Sequence, residues 1–344
     1  MGLLDLARLC AFAGALTTGS VVLAAGPAAA QTAIKFSLDG PLEGPEALFL
    51  LPQDRGYFKA EGVDVSIENA AAAQESIKRV AAGTHEMGLA DINVLIRYLD
   101  QHPSAPIKAV FMLYNKPPYS IVARRSRGIT EPRQIENKKL GAPAASASFL
   151  QWPLFAKLNN IDASKVTIEN IGIPVRAPML AAGQIDAALG ASFRLYVDLK
   201  DRGVPVNDIV LMPMADYGLK LYGSAIIVSS KLAAEKPEAV KGFLRGFVKG
   251  LREAIRRPQD AIDSLLRRDD GVKKDVELER LRMALRYNIV TPEVMADGLG
   301  AIDPARLAAS IEQTALVHTF KAKPKAADMF DASFLPPMSD RRVN

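Results

Sequence analysis

Residues 34–68 read IKFSLDGPLEGPEALFLLPQDRGYFKAEGVDVSIE, and their pattern decides the fold. Ile34, Phe36 and Leu38 alternate with polar residues, as do Val63, Val65 and Ile67 after Gly62, so each end reads as a strand. Between them lie a glycine- and proline-bearing loop, Asp39–Pro45, a short apolar helix and a tight turn. A strand, helix and strand in this order predict an open α/β sheet. In such a sheet small ligands bind at loops leaving the carboxyl ends of strands, which is where Asp39–Pro45 begins. Pro52 interrupts the helix: it takes away a backbone donor to Leu48, which predicts a kink or a restart.

The whole chain has 344 residues, enough for one large domain or two medium ones. Hydrophobic residues make up 49% and charged residues 24%, the balance of an ordinary globular protein. The net charge is +5, but no run of Lys and Arg reaches five, so a nucleic-acid partner is not expected. Residues 1–30 differ in kind. Leu9–Ala25 is apolar and small, and Ala28 and Ala30 fit a cleavage site before Gln31. This predicts an exported chain that starts at Gln31, although Asp5 offsets Arg8 in the leader. A retained membrane anchor is the alternative. The single cysteine, Cys10, falls inside this segment. A chain starting at Gln31 then has no disulfide, no cysteine nucleophile and no cysteine-held metal or cluster.

Beyond Glu68 the strand–helix rhythm repeats. Gln74–Ala82 has helical spacing ending at Gly83, Met87–Ala90 is a short strand before Asp91, and Ile92–Leu99 is amphipathic. Ile107–Leu113 and Tyr119–Ala123 are strands separated by Pro117 and Pro118, whose fixed φ and missing donors suit an extended crossing. A second series follows. Lys138–Ala142, Val166–Asn170, Ile185–Leu189 and Ile209–Met212 read as strands, and Phe149–Asn159 and Pro178–Ala182 as helices. Leu221–Ser229 is a further strand, after which the pattern turns helical. Pro237–Arg256 places Val240, Phe243, Phe247, Leu251 and Ile255 on one face. The later helices are Asp260–Arg267, Val276–Tyr287, Pro292–Leu299 and Pro304–Leu316, and the tail after Lys321 reads as irregular. The rhythm predicts parallel sheets with helices on both faces.

Gly56-Tyr-Phe-Lys-Ala-Glu-Gly-Val-Asp-Val65 resembles the signature of bacterial ABC-transporter substrate-binding proteins of the sulfonate, nitrate, taurine and thiamine-precursor branch. Ala81–Asp91 and Arg176–Ala188 are similar to two further segments of that family. The resemblance implies an α/β, two-lobed type II periplasmic-binding fold, each lobe a mostly parallel sheet flanked by helices, joined by two hinge crossings. Residues 31–118 and 219–344 would form lobe one, and 119–218 lobe two. It also implies a periplasmic monomer that passes a small organic solute to a membrane permease and its ATPase, with no cofactor.

The resemblance and the strand ends point to the same four loops as the ligand site. Lobe one supplies Asp39, Gly40 and Glu43, then Asp91 and Asn93; lobe two supplies Ser146, Ser148 and Phe149, then Phe193 and Arg194. Ser146 or Ser148 either caps its helix or helps to cradle an anion there. Arg194 is either a bidentate clamp for a carboxylate or sulfonate, or half of an ion pair. Asp39, Glu43 and Asp91 favour an amine, a hydroxyl-rich solute or a heterocyclic donor. Asp39 alternatively stabilises its own turn, and Asp91 caps the next helix. Tyr114, Phe149, Phe193 and Tyr217 are candidate apolar walls. His85, His102 and His318 have no metal-ligand spacing, and no nucleophile elbow, phosphate loop or dinucleotide fingerprint is present. A catalytic role is therefore not expected, and an exported ligand-sensing subunit is the alternative to transport. Pyrimidine-synthesising enzymes share the family's fold but, as the resemblance has it, use cysteine- and histidine-rich chemistry.

Overall fold

The opening stretch folds as its pattern predicts. Strands β1 (Thr32–Ser37) and β2 (Val63–Glu68) lie parallel, in register from Thr32 against Val63 to Ser37 against Glu68. A 3-10 turn at Gly44–Glu46 leads into α1 (Ala47–Asp54) and α2 (Tyr57–Ala60). The computed structural model describes residues 31–343. The expected export segment, with Cys10, lies outside the described residues.

Pro52 does not break its helix. α1 runs through it to Asp54, and the chain restarts two residues beyond that end at Gly56, whose φ of +69° is the left-handed turn that glycine adopts without strain. The helix is short, so the missing donor affects one carbonyl, and the buried ring is used for packing. It rests on Gly250 of the long helix Pro237–Arg256, where a Cβ would lie 2.7 Å from the ring. Gly242 and Gly246, eight and four residues earlier, lie equally close to Glu61 and to Tyr57-Phe58: an added Cβ would meet the Glu61 carbonyl at 2.8 Å and the Phe58 ring at 2.9 Å. The signature Gly56-Tyr-Phe therefore packs on a glycine stripe. Beneath it Phe36, Phe49, Phe58, Phe243 and Phe247 stack with ring centroids 4.6–5.2 Å apart along the chain of neighbours.

The chain then lays down α3 (Ala73–Ala81), β3 (Met87–Asp91), α4 (Ile92–Gln101) and β4 (Ile107–Met112). It crosses to a second sheet at β5 (Tyr119–Arg124), which is followed by β6 (Lys139–Ala142), α5 (Ala147–Leu150), α6 (Trp152–Leu158), β7 (Thr167–Asn170), α7 (Ile173–Ala182), β8 (Ala187–Ala191), α8 (Ser192–Asp201) and β9 (Ile209–Pro213). It returns at β10 (Ser224–Ser229), and the remaining larger helices are α9 (Ser230–Glu235), α10 (Pro237–Arg256), α11 (Pro258–Leu266), α12 (Lys274–Ala284), α13 (Pro292–Asp297) and α14 (Pro304–Ala315). The tail holds only short helical turns.

The two sheets have the orders β2-β1-β3-β10-β4 and β7-β6-β8-β5-β9. In each, one strand opposes the others: β10 is antiparallel to β3 and β4, and β5 to β8 and β9. These are the strands that arrive directly from a crossing, so each lobe is mixed, with the antiparallel strand set by the interlobe connection. Helix limits also depart from the pattern. Phe149–Asn159 is two helices broken at Gln151, with Pro153 in the first turn of α6. Helix α7 begins at Ile173, not Pro178, because Pro174 supplies the first turn and the chain continues through Pro178.

Candidate functional site

Between the two sheets, at the loops leaving β1, β3 and β8, lies a cavity of about 150 Å³. Asp39, Gly40, Asp91, Tyr114, Ser146, Ser148, Phe193 and Arg194, each named from the sequence, line it. Three other named residues do not. Glu43 stands just behind the wall, 2.7 Å from Arg194 Nε. Asn93 is fully buried under it, where Nδ2 donates to Tyr119 Oη at 2.9 Å and to the Tyr222 carbonyl at 2.7 Å. Phe149 packs against the second lobe's core, its N–H donating to Ser146 Oγ at 3.2 Å. Tyr217 likewise turns away and packs edge-on to Phe155.

Of the two roles expected for Arg194 and for Ser146, the structure shows the ion pair and the helix cap. The guanidinium of Arg194 is already paired with Glu43, so it is not free to clamp a solute carboxylate through Nε. Ser146 does cap a helix, but α5 is a single turn ended at Gln151, so it is no extended dipole aimed at an anion.

The acidic side of the cavity is the first lobe. Ser224 Oγ donates to Asp39 at 2.9 Å, yet burial pushes the Asp39 carboxyl up to about 6, helped by the Asp91 charge. Glu46 was missed from sequence. It is buried at the start of α1, its carboxylate facing the Glu43 N–H at 3.2 Å, and burial raises it to about 8 against the opposing pull of Arg194, with Glu43 and Asp39 adding to the rise. At neutral pH it is therefore predominantly a protonated acid, able to donate one hydrogen bond and accept another. Asp91 caps α4, accepting from Asn93 N at 2.9 Å and Val94 N at 3.2 Å, and also takes the Tyr119 hydroxyl proton in a hydrogen bond. Burial raises it as well, opposed by those bonds. Asp91 is thus the cap of α4 and also part of the cavity wall.

Tyr119, Ser224 and Arg176 also line the cavity without having been named as ligand groups. Ser224 and Tyr119 follow the two crossings, and their roles are visible only once β10 meets β1's loop. Tyr114 and Phe193 provide the aromatic wall, ring centroids 6.1 Å apart. The histidines stand elsewhere: His85 beside Glu68 at 3.2 Å, His318 beside Asp100 at 3.1 Å, and His102 against Tyr98. Among the described residues no cluster of three or more His, Cys, Asp and Glu side chains is arranged to hold a metal ion.

Comparison with known proteins places this geometry in context. Residues 46–261 match the family described as NMT1/THI5 like. The riboflavin-binding protein RibY of Chloroflexus aurantiacus is 26% identical over 61% of this chain and 58% of its own length. A 4-amino-5-hydroxymethyl-2-methylpyrimidine phosphate synthase of Schizosaccharomyces pombe is 23% identical over 60% of this chain and 61% of its own. The formylaminopyrimidine-binding protein of Halalkalibacterium halodurans is 23% identical over 67% and 70%. The chain thus spans about three-fifths of the length of the first two of these relatives. Among solved structures, the alkanesulfonate-binding protein SsuA of Xanthomonas axonopodis pv. citri bound to MOPS superposes with a TM-score of 0.65 at 15% identity, covering 88% of this chain and 99% of that one. The nitrate-binding protein NrtA of Synechocystis gives 0.65 at 9% identity, covering 88% and 87%. The two-lobed α/β architecture is that of the periplasmic binding proteins.

Proposed function

The chain belongs to the NMT1/THI5-like family, and on that premise we propose that it is an exported solute receptor of an ABC importer. Residues 31–118 and 219–344 act as one lobe and 119–218 as the other, and they close on a small organic solute. The observation that carries this reading is the cavity itself, whose wall is contributed by strand-end loops of both sheets. A solute held from both sides stabilises the closed arrangement relative to the open one, and that differential affinity is what drives closure. The closed form is then recognised by a membrane permease with its ATPase.

The solute we favour is a single-ring nitrogen heterocycle. The protonated Glu46 offers a donor and an acceptor, and Asp39 an acceptor, which complement a ring edge of alternating N–H and carbonyl or imine groups. A cavity of about 150 Å³ is the size that takes one six-membered ring, which fits the formylaminopyrimidine-binding relative better than the riboflavin-binding one. Tyr114 and Phe193 supply faces for the ring.

A thermal-shift screen across pyrimidines, sulfonates, aromatic carboxylates and amines tests this. A pyrimidine present at a hundred times its dissociation constant should stabilise the fold by about 2.7 kcal/mol. Stabilisation by sulfonates alone, or by no class, contradicts it. The synthase-named relatives motivate an enzymatic reading, which differs in outcome: a receptor returns its solute chemically unchanged. A signalling subunit with the same fold binds equally well, but its partner is a sensor kinase, so co-purification with permease components favours transport.

A further inference from the structure

Two cations line the cavity, Arg194 and Arg176. Arg194 is engaged by Glu43 at 2.7 Å and stands over against Glu46. Arg176 is different. It stands at the end of the first turn of α7, the residue is 2% exposed, and among the described residues it has no carboxylate partner. Nη1 donates to the Leu189 carbonyl, while Nε has no hydrogen-bond partner at all. The acids whose charge reaches it, Asp198 and Glu43, are committed to Arg280 and Arg194. Burial and the neighbouring Arg194 push Arg176 down to about 10, which still leaves it charged at neutral pH.

The backbone is fitted to this guanidinium. It crosses Gly190 at the end of β8, where a Cβ would overlap Nη1 and lie 3.1 Å from Cζ. Gly190 itself lines the cavity, so the guanidinium sits where the second lobe's sheet ends and the solute space begins. A buried cation without a counter-charge is unfavourable, and its natural complement is an oxyanion arriving from that space. The opposite wall holds Asp39 and Glu46, so the cavity is acidic on one lobe and cationic on the other.

Resting on the receptor reading above, we infer that Arg176 is the specificity-determining residue for a carboxylate on the solute, which is therefore bipolar: a ring with N–H donors at the edge facing Asp39 and Glu46, and a carboxylate at the edge facing Arg176. Planar, bidentate recognition by a guanidinium suits a carboxylate. The first-lobe acids read the ring, and the second-lobe arginine reads the charge. Closure is thereby coupled to a solute that has both.

Uracil and orotate form a matched pair of probes, since orotate is uracil carrying a carboxylate across the ring from an N–H. Calorimetric titration of the full exported chain should give orotate at least tenfold tighter than uracil. Arg176→Met should abolish that advantage, the ratio of uracil to orotate dissociation constants falling to about one, and Arg176→Lys should keep part of it, because the charge stays and the fork is lost. The lysine variant and the wild-type pair carry the test should the methionine variant fail to fold. Uracil binding as tightly as orotate, or an advantage that survives Arg176→Met, overturns the inference and leaves the heterocycle receptor standing. If neither compound binds, the inference and the single-ring reading of the solute both fall.

Discussion

Glu46 and Asp39 give the cavity its most testable property at the scale of single residues. Both carboxyls sit above their ordinary values, at about 8 and about 6, chiefly through burial. The folded state therefore binds more protons than the unfolded state from about pH 4 to 8. Because unfolding then releases protons, stability falls as pH rises through that window, by at most ~1.4 kcal/mol per pH unit for each group. The ligand-free melting temperature should be higher at pH 5.5 than at pH 8, and Glu46→Gln should flatten the upper half of that slope by removing the group while keeping its shape. An unchanged slope in Glu46→Gln would show that the titration belongs elsewhere. At this scale the sequence was partly legible. Asp39, Asp91 and Arg194 could be named because each follows a strand recognisable in the sequence by one to five residues. Glu46, by contrast, stands inside a helix start, and Arg176 was hidden by Pro178, which reads as a helix beginning although α7 passes through it. Whether a named arginine is free or paired was not readable at all, since Glu43 and Arg194 meet across 151 residues.

At the scale of elements, the glycine stripe of α10 and the ion pairs between α8 and α12 support different aspects of the molecule. Alanine at Gly250 gains about 1 kcal/mol of helix propensity. It also forces a methyl to within 2.7 Å of the rigid Pro52 ring, an overpacking that costs about 1–3 kcal/mol. Gly250→Ala should therefore lower the urea midpoint, and a raised midpoint contradicts the account of how the Gly56-Tyr-Phe turn is seated. The seam between α8 and α12 joins Arg280 to Asp198, Lys200 to Glu279 and Lys273 to Asp201, and within α12 Arg280 also pairs with Glu277. The lysines are well exposed, so Lys273→Ala should change stability by less than about 1 kcal/mol and less still in high salt. The Arg280 side chain is 11% exposed and its loss leaves Glu277 buried without its partner, so Arg280→Ala should cost roughly 3 kcal/mol or more. Equal effects at the two positions, measured by urea denaturation, contradict this ranking. Helix α10 was legible to the residue because its apolar spacing is uninterrupted over five turns. The break at Gln151 was not, because no glycine marks the place, glutamine suits a helix interior, and Pro153 is tolerated in a first turn.

At the scale of the whole molecule, the α/β repeat was readable in strand and helix periodicity, while the one reversed strand in each sheet was not, since direction is set by where the crossings enter. Those crossings share one anchor. Arg306 Nη2 donates to the Asn115 carbonyl at 2.8 Å and the Leu221 carbonyl at 2.7 Å, Nη1 pairs with Glu293 at 2.6 Å, and the guanidinium covers the Tyr222 ring at 3.9 Å. Arg306→Met should raise amide hydrogen exchange in residues 113–118 and 219–223 together and leave β1 and β3 protected; exchange rising in one crossing alone contradicts a shared anchor. The proposed receptor holds its solute between the two sheets by groups from both. The most direct measurement is a calorimetric titration of the best hit from the solute screen against the wild type, Asp39→Ala and Phe193→Ala. One solute should bind per chain and be recovered unchanged, with affinity at least tenfold weaker in each variant. Full affinity retained in either variant, or a solute returned chemically altered, contradicts it.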